Sequence, residues 1–482
     1  PPRSTLFPYT TLFRSAKMNQ AQADRVREME AITPAEMRKK IFDMAWPATV
    51  ESVLQMMIGM VTSAFIGQIG TIAIGAAGLG RRITHLVWAI FAAIGTGSTV
   101  MVARSIGAGN QKAANRYADQ AMILTMGIIV VFTGVLILFP EWLIRTLYGS
   151  EGELLVSATL YLRITALGVP FMSIMQVCGA LMRGAGNTKV PMTVATTINI
   201  VNVVLSYPLI FGKFGIPALG LVGAAWALVI SQIVGAVMAL YILYFKQTNL
   251  SLKFNGLRFV WKEAKEILTI GIPAATENLM MNFGGILLTS LVASFGAVEL
   301  AAHQQGMTAE SLSYMPSMGF SIAATAFVGM SLGAGSIQLA ERYVKELVKW
   351  DLILTTFTAS FLVFTPKMVF SILSTDQAVI DLGAIYLILM GICQIPQQLT
   401  GLYNGALRGA GDTKATLVIS SLGYWGVRLP LSFLLARTFH LGILGVWYAM
   451  TLDLFVRFGL SFYRYRISAA WKKRALPILD EN

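Results

Sequence analysis

Two nearly identical stretches decide the fold of this chain: LMRGAGNTK at residues 181–189 and ALRGAGDTK at residues 406–414. Each lies between two long apolar segments, which predicts a tight turn between membrane helices. Glycine accepts backbone angles that other residues resist, and Asn187 and Asp412 are good N-caps. Each arginine is expected to bind the last helix carbonyls or anionic headgroups, although a structural hinge explains each turn taken alone. The turn residues are Arg183, Gly184, Gly186, Arg408, Gly409 and Gly411.

The two turns belong to a duplication of the whole chain. Five residues of the first half recur 226 positions later: Pro47, Glu51, Gly107, Arg116 and Pro170 return as Pro273, Glu277, Gly333, Arg342 and Pro396. The turn arginines are 225 positions apart, so one residue is lost just before the second turn. A register kept over several blocks indicates an internal repeat.

Composition identifies the kind of repeat. The chain is 55% hydrophobic and only 13% charged, far from a soluble domain of this length. We predict an all-α membrane protein with twelve transmembrane helices, arranged as two six-helix lobes related by internal duplication. The predicted spans are 41–68, 72–104, 113–139, 153–182, 188–211, 217–245, 266–294, 298–332, 339–365, 377–407, 413–437 and 442–465. The net charge of +13 reflects basic residues on one membrane face, so no nucleic-acid partner is predicted.

The domain boundaries follow from these spans. Residues 1–17 match nothing downstream and precede Met18, so we interpret them as a cloning or sequencing scar. Thr33 to Glu36 form a capping box with proline at the first helical position. Leu257 to Lys265 is predicted to lie as an amphipathic helix on the membrane surface. The remaining segments are a cytoplasmic leader (18–40), an N-lobe (41–245), a cytoplasmic linker (246–265), a C-lobe (266–466) and a cytoplasmic tail (467–482).

Charge distribution predicts the orientation. Most lysines and arginines outside the spans fall on the side of the N-terminus, and the opposite side holds only Arg145, Lys213, Lys367 and Arg437. The positive-inside rule therefore predicts a multi-pass plasma-membrane protein with both termini cytoplasmic. Six spans per repeat give both halves the same orientation, with a cleft between them.

These features resemble the multidrug and toxic compound extrusion (MATE) family. The resemblance rests on the two Arg-Gly-Ala-Gly turns, on the Gly-Ala-Gly turns at 107–109 and 333–335, and on Ala-Ala-His-Gln at 301–304. It covers the chain from about Met37 to Arg466. It implies a two-lobed antiporter that exports amphipathic or cationic compounds in exchange for sodium or protons. No cofactor and no metal beyond a possible sodium ion are implied, and we expect a monomer.

The coupling acids of the family are missing from their usual places. The resemblance puts an aspartate in the first span where this chain has Thr62, and a glutamate in the seventh where it has Met281. The tenth-span aspartate falls at Gln397, and the fifth-span aspartate of another branch falls at Ser206 and Tyr207. A coupling site must therefore use other charges.

Glu51 and Glu277 are our candidates for binding the coupling cation. A charged side chain inside a membrane costs a few kcal/mol on insertion scales, so each one needs a reason. Both acids follow a helix-kinking proline by four residues, and they occupy equivalent positions in the two lobes. No basic residue is near either acid in sequence, so nothing structural in the sequence explains them, although pairing with an intramembrane arginine stays open.

The other intramembrane charges are expected to pair. Asp453 and Arg457 are four residues apart on one helix, so we predict a structural pair with Arg457 or with Arg428. Arg81 and Arg82 are candidates for a gate across the cleft, in which one of them pairs with Glu310.

Four residues are candidates for the substrate cleft: His303, Gln304, Tyr424 and Trp425. The two aromatic rings suit a cationic or aromatic compound, although such rings more often serve packing. His303 has the alternative of a plain hydrogen-bonded helix residue. A flippase for lipid-linked sugars stays open because of the adjacent arginines at 81 and 82. A membrane enzyme is not predicted, because the three histidines form no cluster and no nucleophile motif is present.

Overall fold

The computed structural model describes residues 26–215, 217–245, 250 and 258–474, and within them every regular element is helical. The first half contains α1 (Pro34–Gly67), α2 (Thr71–Gly107), α3 (Gln111–Leu138), α4 (Pro140–Tyr148), α5 (Gly152–Ala166), α6 (Val169–Gly184), α7 (Lys189–Phe211) and α8 (Gly220–Phe245). The second half contains α9 (Trp261–Ala293), α10 (Ala297–Gly333), α11 (Ile337–Phe364), α12 (Pro366–Leu373), α13 (Gln377–Gly409), α14 (Thr413–Ser421), α15 (Leu429–Phe433) and α16 (Gly442–Phe462). π-Helical segments at Leu422–Arg428 and Leu434–Thr438 join α14 and α15 into one span, and another at Tyr463–Ser468 extends α16.

The predicted spans are present, and most helix bounds lie within a few residues of those expected. Helices α1 and α9 begin earlier than predicted, at Pro34 and Trp261. In the described residues ten helices are long and apolar enough to cross a membrane, and an eleventh span is the pair α5–α6. The remaining long helix, α9, carries charged residues in its first turns, which lowers its hydropathy. Its repeat mate α1 does meet the criterion, so six spans per lobe remain the best description of the chain.

Some local features were not predicted. The fourth span is broken by 50° between α5 and α6, just before Pro170, whereas its mate α13 continues through Pro396. The short helices α4 and α12 are also repeat mates, and both begin at a proline.

The predicted capping box at Thr33 is present, with the Thr33 side chain accepting from the Glu36 amide.

Helices α1 and α9 each cross from one lobe to the other. The first part of α1, with Met37 and Ile41, packs in a core formed by α10, α11 and α13, whereas Ile66 near its end packs against α2, α5 and α7. Likewise, Ile267 of α9 packs in the N-lobe core, whereas Leu288 packs in the C-lobe core. Each crossing helix carries its proline between these two regions, so the prolines mark where the helix changes lobe.

Two short segments also reach across between the halves. The segment before α1 docks on α11, where Arg342 donates from Nη1 to the Glu30 carbonyl at 2.6 Å. The start of α9 docks on α3, where Arg116 Nε lies 3.1 Å from Glu263 Oε1 and the Tyr117 hydroxyl donates to Glu266. Because Arg116 and Arg342 are repeat mates, the duplication has produced the same crossing twice.

The predicted surface helix in the linker is helical only from Trp261 onward in its described part. Most of residues 246–265, including Leu257, lies outside the described residues, as do residues 1–25 and 475–482. Residues 258–260 are not helical, and α9 begins at Trp261 and runs directly into the span. Gln120 of α3 explains the extended start, because it donates to the Arg258 carbonyl at 2.7 Å and accepts from the Val260 amide at 2.9 Å.

Candidate functional site

A cavity of about 610 Å³ lies inside the N-lobe, between α1, α2, α6, α7 and α8. Met315 and Met318 of α10 close it from the side of the C-lobe. Its wall combines thioethers with a few polar and aromatic groups, including Glu51, Gln55, Arg81, His85, Trp88, Met56, Met172, Met175 and Met182. Methionine side chains are flexible and polarizable, so such a wall adapts to apolar ligands of different shapes.

Glu51 is the buried acid of this cavity, with 6% of its surface exposed. Its Oε1 accepts from Arg183 Nη1 at 2.7 Å and from Gln55 Nε2 at 3.2 Å. Its Oε2 is buried and has no hydrogen-bond partner in the described part of the chain. Carboxylates buried away from water normally satisfy both oxygens, so this oxygen is an available ligand position.

Arg183 reaches Glu51 from the last turn of α6. The turn after α6 lies at the same depth in the bundle as Met44 of α1, because Thr188 donates to the Met44 carbonyl at 2.8 Å. Glu51 is therefore about 10 Å deeper, seven residues further along α1. Helical side chains point back toward the N-terminus, and the Arg183 guanidinium accordingly lies beside Gly179, one turn deeper. The sequence predicts that Arg183 binds helix carbonyls or headgroups, but in the structure its partner is the carboxylate of Glu51.

Glu277 forms the equivalent pair in the C-lobe, but with more partners. Arg408 Nη2 lies 2.9 Å from its Oε1, which also accepts from the Ser420 hydroxyl at 2.7 Å. The Thr416 hydroxyl donates to Oε2 at 3.0 Å. Both oxygens of this 3%-exposed side chain are satisfied. Neither acid has a basic residue near it in sequence, because each partner comes from the repeated stretch, 132 or 131 residues away.

The predicted gate pair is not formed in this conformation. Arg81 lines the cavity and donates from Nη1 to Ser63 Oγ at 2.5 Å, on the neighbouring helix α1. Arg82 is exposed, because adjacent helical residues point about 100° apart. Glu310 points into the C-lobe instead, where the Tyr386 hydroxyl donates to it at 2.6 Å.

Asp453 forms the ion pair that its spacing predicts. Its Oδ2 lies 2.6 Å from Arg457 Nη2 and 2.7 Å from Arg428 Nε, so both candidate arginines bind the same oxygen. The guanidinium of Arg428 also lies 4.7 Å from the centre of the Tyr424 ring. One face of Tyr424 is therefore occupied by a side chain of its own lobe, and the ring is buried.

The other residues assigned to the substrate cleft lie apart from the cavity. His303 is buried in the C-lobe, where its Nδ1 accepts from Trp447 Nε1 at 3.3 Å, as the hydrogen-bonded alternative predicts. Trp425 is 37% exposed and donates to the Met280 carbonyl at 3.1 Å. Gln304 is exposed. The cavity is lined by side chains of α2 and α6 and not by these predicted residues.

Two aromatic side chains of the cavity wall were not predicted from the sequence. His85 and Trp88 stack on α2 with ring centroids 5.2 Å apart and both line the cavity. Their spacing of three residues puts both rings on one helix face, a signal that was available in the sequence. Their exposure to a cavity and not to lipid depends on how α2 is rotated in the bundle.

The family's coupling position is a neutral polar site here. Thr62 donates to Asn202 Oδ1 at 3.1 Å, and both residues are buried. Ser206, one turn after Asn202, is also fully buried. Among the described residues no group of three or more His, Cys, Asp or Glu side chains is placed to hold a metal ion.

Asp351 on α11 is a further buried acid that we had not singled out. It is 1% exposed, and neither carboxylate oxygen has a hydrogen-bond partner within 3.5 Å among the described residues. Ser317 and Thr355 are near it, but their hydroxyls lie 3.2 Å apart and bond to each other. The repeat mate of Asp351 is Thr125, which donates to the Ala121 carbonyl at 2.7 Å.

Replacing this acid by its repeat mate is expected to stabilise the protein. Asp351→Thr removes an unpartnered buried carboxyl and adds a hydroxyl that can reach the Leu347 carbonyl, so we expect about 1–3 kcal/mol of added stability. Thermal unfolding in detergent measures this effect. The matched variant Thr125→Asp, which creates the unpartnered acid in the N-lobe, should lower the melting temperature. A lower melting temperature for Asp351→Thr would show that the acid has a stabilising partner.

Comparison with known proteins places this geometry in one family. A family model described as MatE matches residues 47–208 and 273–434, which begin at the two crossing prolines. The probable multidrug resistance protein NorM of Thermotoga maritima is 35% identical over 447 residues, covering 92% of this chain and 94% of that protein. The uncharacterized transporter YisQ of Bacillus subtilis is 25% identical over 446 residues, covering 92% and 97%.

Solved structures agree at the level of fold. A crystal structure of MATE in complex with MaL6 matches with a TM-score of 0.85 and 21% identity, over 93% of this chain and 99% of that one. The outward-facing conformation of a multidrug resistance MATE family transporter also matches with a TM-score of 0.85, at 20% identity and over 95% and 100% of the two chains. With the family model covering both halves and a 35%-identical relative covering nearly the whole chain, this multi-pass membrane protein belongs to the MatE family.

Proposed function

We propose that this protein is a secondary active antiporter that exports amphipathic, cationic organic compounds in exchange for sodium or protons. One observation carries the proposal: Glu51 holds an unpartnered carboxylate oxygen in the wall of a methionine-rich cavity inside the N-lobe. Glu51 lines the cavity, and its unpartnered oxygen can bind either the coupling cation or the cationic substrate. The relative named as a multidrug resistance protein supports the same function.

The cavity suits a flat, apolar cation. Its volume of about 610 Å³ lies in the range typical of sites for drug-sized ligands. Trp88 and His85 offer stacked rings, and a cation over an aromatic face gains about 0.5–2 kcal/mol. Glu51 supplies the single acidic group among the lining residues, so a substrate cation and a coupling cation compete for one charge.

Rocking of the lobes would link this competition to transport. Helices α1 and α9 pass between the lobes, and Glu51 and Glu277 each follow the crossing proline by one turn. A change in the pairing of either acid therefore acts on a helix that both lobes share. In the present conformation the lobes touch tightly where α2 and α10 end, at Gly107 and Gly333.

The driving force is sufficient with one cation per cycle. A cation that returns through roughly 150 mV releases about 3.5 kcal/mol. That energy supports a gradient of about 300-fold for an uncharged compound, at 1.4 kcal/mol per factor of ten. A single exchangeable carboxylate is therefore enough, and one chain with two lobes is sufficient as a monomer.

We also propose that both termini face the cytoplasm, because the basic residues collect on their side of the membrane. Cysteines at Lys262 and Lys367 should then react with an impermeant thiol reagent from opposite sides of intact cells. Reaction of both from the outside would contradict this orientation.

The flippase alternative loses its main support. It depended on a cavity made basic by two adjacent arginines, but only Arg81 lines the cavity, where Ser63 Oγ accepts its hydrogen bond. Arg82 is exposed elsewhere on α2.

A vesicle assay tests the proposed function. Purified protein is reconstituted with a fluorescent cationic dye, and dye movement is followed under a sodium gradient, under a proton gradient and without a gradient. We expect one of the two gradients to drive dye against its concentration difference. Identical dye movement under all three conditions would contradict antiport.

A further inference from the structure

The two Glu–Arg pairs occupy equivalent positions but have different surroundings. Glu51 bonds to Arg183 and Gln55 through one oxygen and leaves the other without a partner in the described residues. Glu277 bonds to Arg408 and to two hydroxyls, so both of its oxygens are satisfied. Duplication alone would have produced the same surroundings twice.

Two substitutions on the fifth span account for this difference. Thr416 and Ser420, the two hydroxyl donors to Glu277, are related by the offset of 225 residues to Pro191 and Ala195. Neither proline nor alanine has a side-chain donor. Pro191 and Ala195 also line the N-lobe cavity, and Pro191 lies next to Gly179, beside the Arg183 guanidinium. Loss of both hydroxyls thus leaves Glu51 open to the cavity.

We propose that the duplicated pair has diverged, so that Glu51–Arg183 is the exchangeable cation site and Glu277–Arg408 is a locked structural copy. This inference rests on the proposed antiport and names the acid that performs it. Arg183 acts as a tethered cation that neutralises Glu51 when the site is empty. The coupling proton or sodium ion binds at Oε2, the oxygen without a partner in the described residues, and weakens the hold of Arg183 on α1.

The C-lobe pair does not offer the same chemistry. An incoming cation would have to compete with Arg408 and two hydroxyl donors at Glu277, which does not line the N-lobe cavity. Arg408 is itself part of the turn between α13 and α14, so its bond to Glu277 ties that turn to α9. Glu277 therefore has a structural role, in which it holds α9 to the other helices of the C-lobe.

Carbodiimide labelling tests this divergence without measuring transport. An apolar carbodiimide modifies accessible protonated carboxyls, and mass spectrometry of the purified full-length protein locates the product. We expect Glu51 to be labelled about tenfold more than Glu277, since the two extra hydrogen bonds keep both oxygens of Glu277 occupied. Sodium should protect Glu51 if it is the coupling ion, and a lower pH should increase the labelling if it is a proton.

Reciprocal variants provide the matched controls. Ala195→Ser, alone or with Pro191→Thr, restores the missing donors and should reduce the labelling of Glu51 toward that of Glu277. Ser420→Ala removes a donor and should increase the labelling of Glu277. Thermal unfolding checks that each variant is folded, and the Ser420→Ala arm does not depend on the N-lobe variants.

Equal labelling of the two acids in the parent protein would overturn the divergence, even if the protein transports dye. Unchanged labelling of Glu51 in a folded Ala195→Ser variant together with unchanged labelling of Glu277 in Ser420→Ala would overturn it as well. Failure of the vesicle assay, by contrast, would reject the proposed antiport while a selective label on Glu51 would still support the divergent pair.

Discussion

Glu51→Gln is expected to abolish gradient-driven efflux and to weaken dye binding, while leaving folding and insertion largely intact. Glutamine keeps the size and hydrogen bonding of the side chain but removes the charge, so neither a proton nor sodium can be exchanged at this position. The residual bond from Arg183 can still reach the amide oxygen. We expect transport to fall at least about 100-fold, a loss of roughly 2.7 kcal/mol of coupling. The vesicle assay measures the rate, and fluorescence titration measures dye affinity.

The matched control is Glu277→Gln in the other lobe. It removes the charge from a carboxylate that holds Arg408, Thr416 and Ser420. We expect a lower melting temperature, corresponding to about 1–3 kcal/mol, with coupled transport retained. If both variants still pump like the parent, the coupling site lies elsewhere, and Glu310 or Asp453 becomes the better candidate.

Gly107→Ala and Gly333→Ala are expected to block transport by keeping the lobes apart. A Cβ at Gly107 would lie 1.9 Å from the Met330 carbonyl oxygen, and one at Gly333 would lie 2.0 Å from the Arg104 carbonyl oxygen. These are backbone atoms that cannot rotate away, so the helix ends must separate. Overpacking of this kind costs about 1–3 kcal/mol or more. It therefore lowers the population of the conformation in which these helix ends touch by roughly 10- to 100-fold.

Two measurements check the glycine contact. Dye efflux should fall in both variants, and a cysteine placed in the N-lobe cavity should become more reactive to reagents added from the side of the termini. Gly127→Ala on α3 is the control, because nothing lies within 4 Å of its added Cβ. Normal transport by Gly107→Ala and Gly333→Ala would show that this contact is not needed for the cycle.

The reciprocal contact gives a role to the Gly-Ala-Gly turns at 107–109 and 333–335. In each lobe the glycine that ends α2 or α10 allows the backbone of the other lobe to approach closely. Arg104 adds a hydrogen bond to the Ala410 carbonyl in the opposite turn. The repeated turns are therefore a self-complementary contact between two copies of one ancestral half.

Sequence patterns alone placed most elements correctly, because hydropathy and helix caps are local properties. The bounds of α7 and α13 follow closely from the apolar runs, and the pair Asp453–Arg457 follows from a spacing of four within one helix. The resemblance to the MATE family is confirmed by the family model and by the NorM relative. The repeat also identified Glu51 and Glu277 as equivalent positions.

The partners of these acids could not be predicted in the same way. Arg183 is 132 residues from Glu51 in the chain, and their contact depends on how α1 and α6 are packed and rotated against each other. The same holds for Arg81 and Glu310, whose predicted contact assumed that both face one cleft. Helix rotation changes which residue faces a neighbour by about 100° per residue, and hydropathy does not specify it.

The sequence by itself determined the duplication, the spans and several of the buried charges, since each depends on residue type and on short-range spacing. Only the tertiary structure decided which charge meets which, and that the two copies of one Glu–Arg pair differ. The physical reason is that a buried carboxylate binds whatever donors the neighbouring helices bring within about 3 Å. In the C-lobe those are Thr416 and Ser420, whereas in the N-lobe Pro191 and Ala195 bring none.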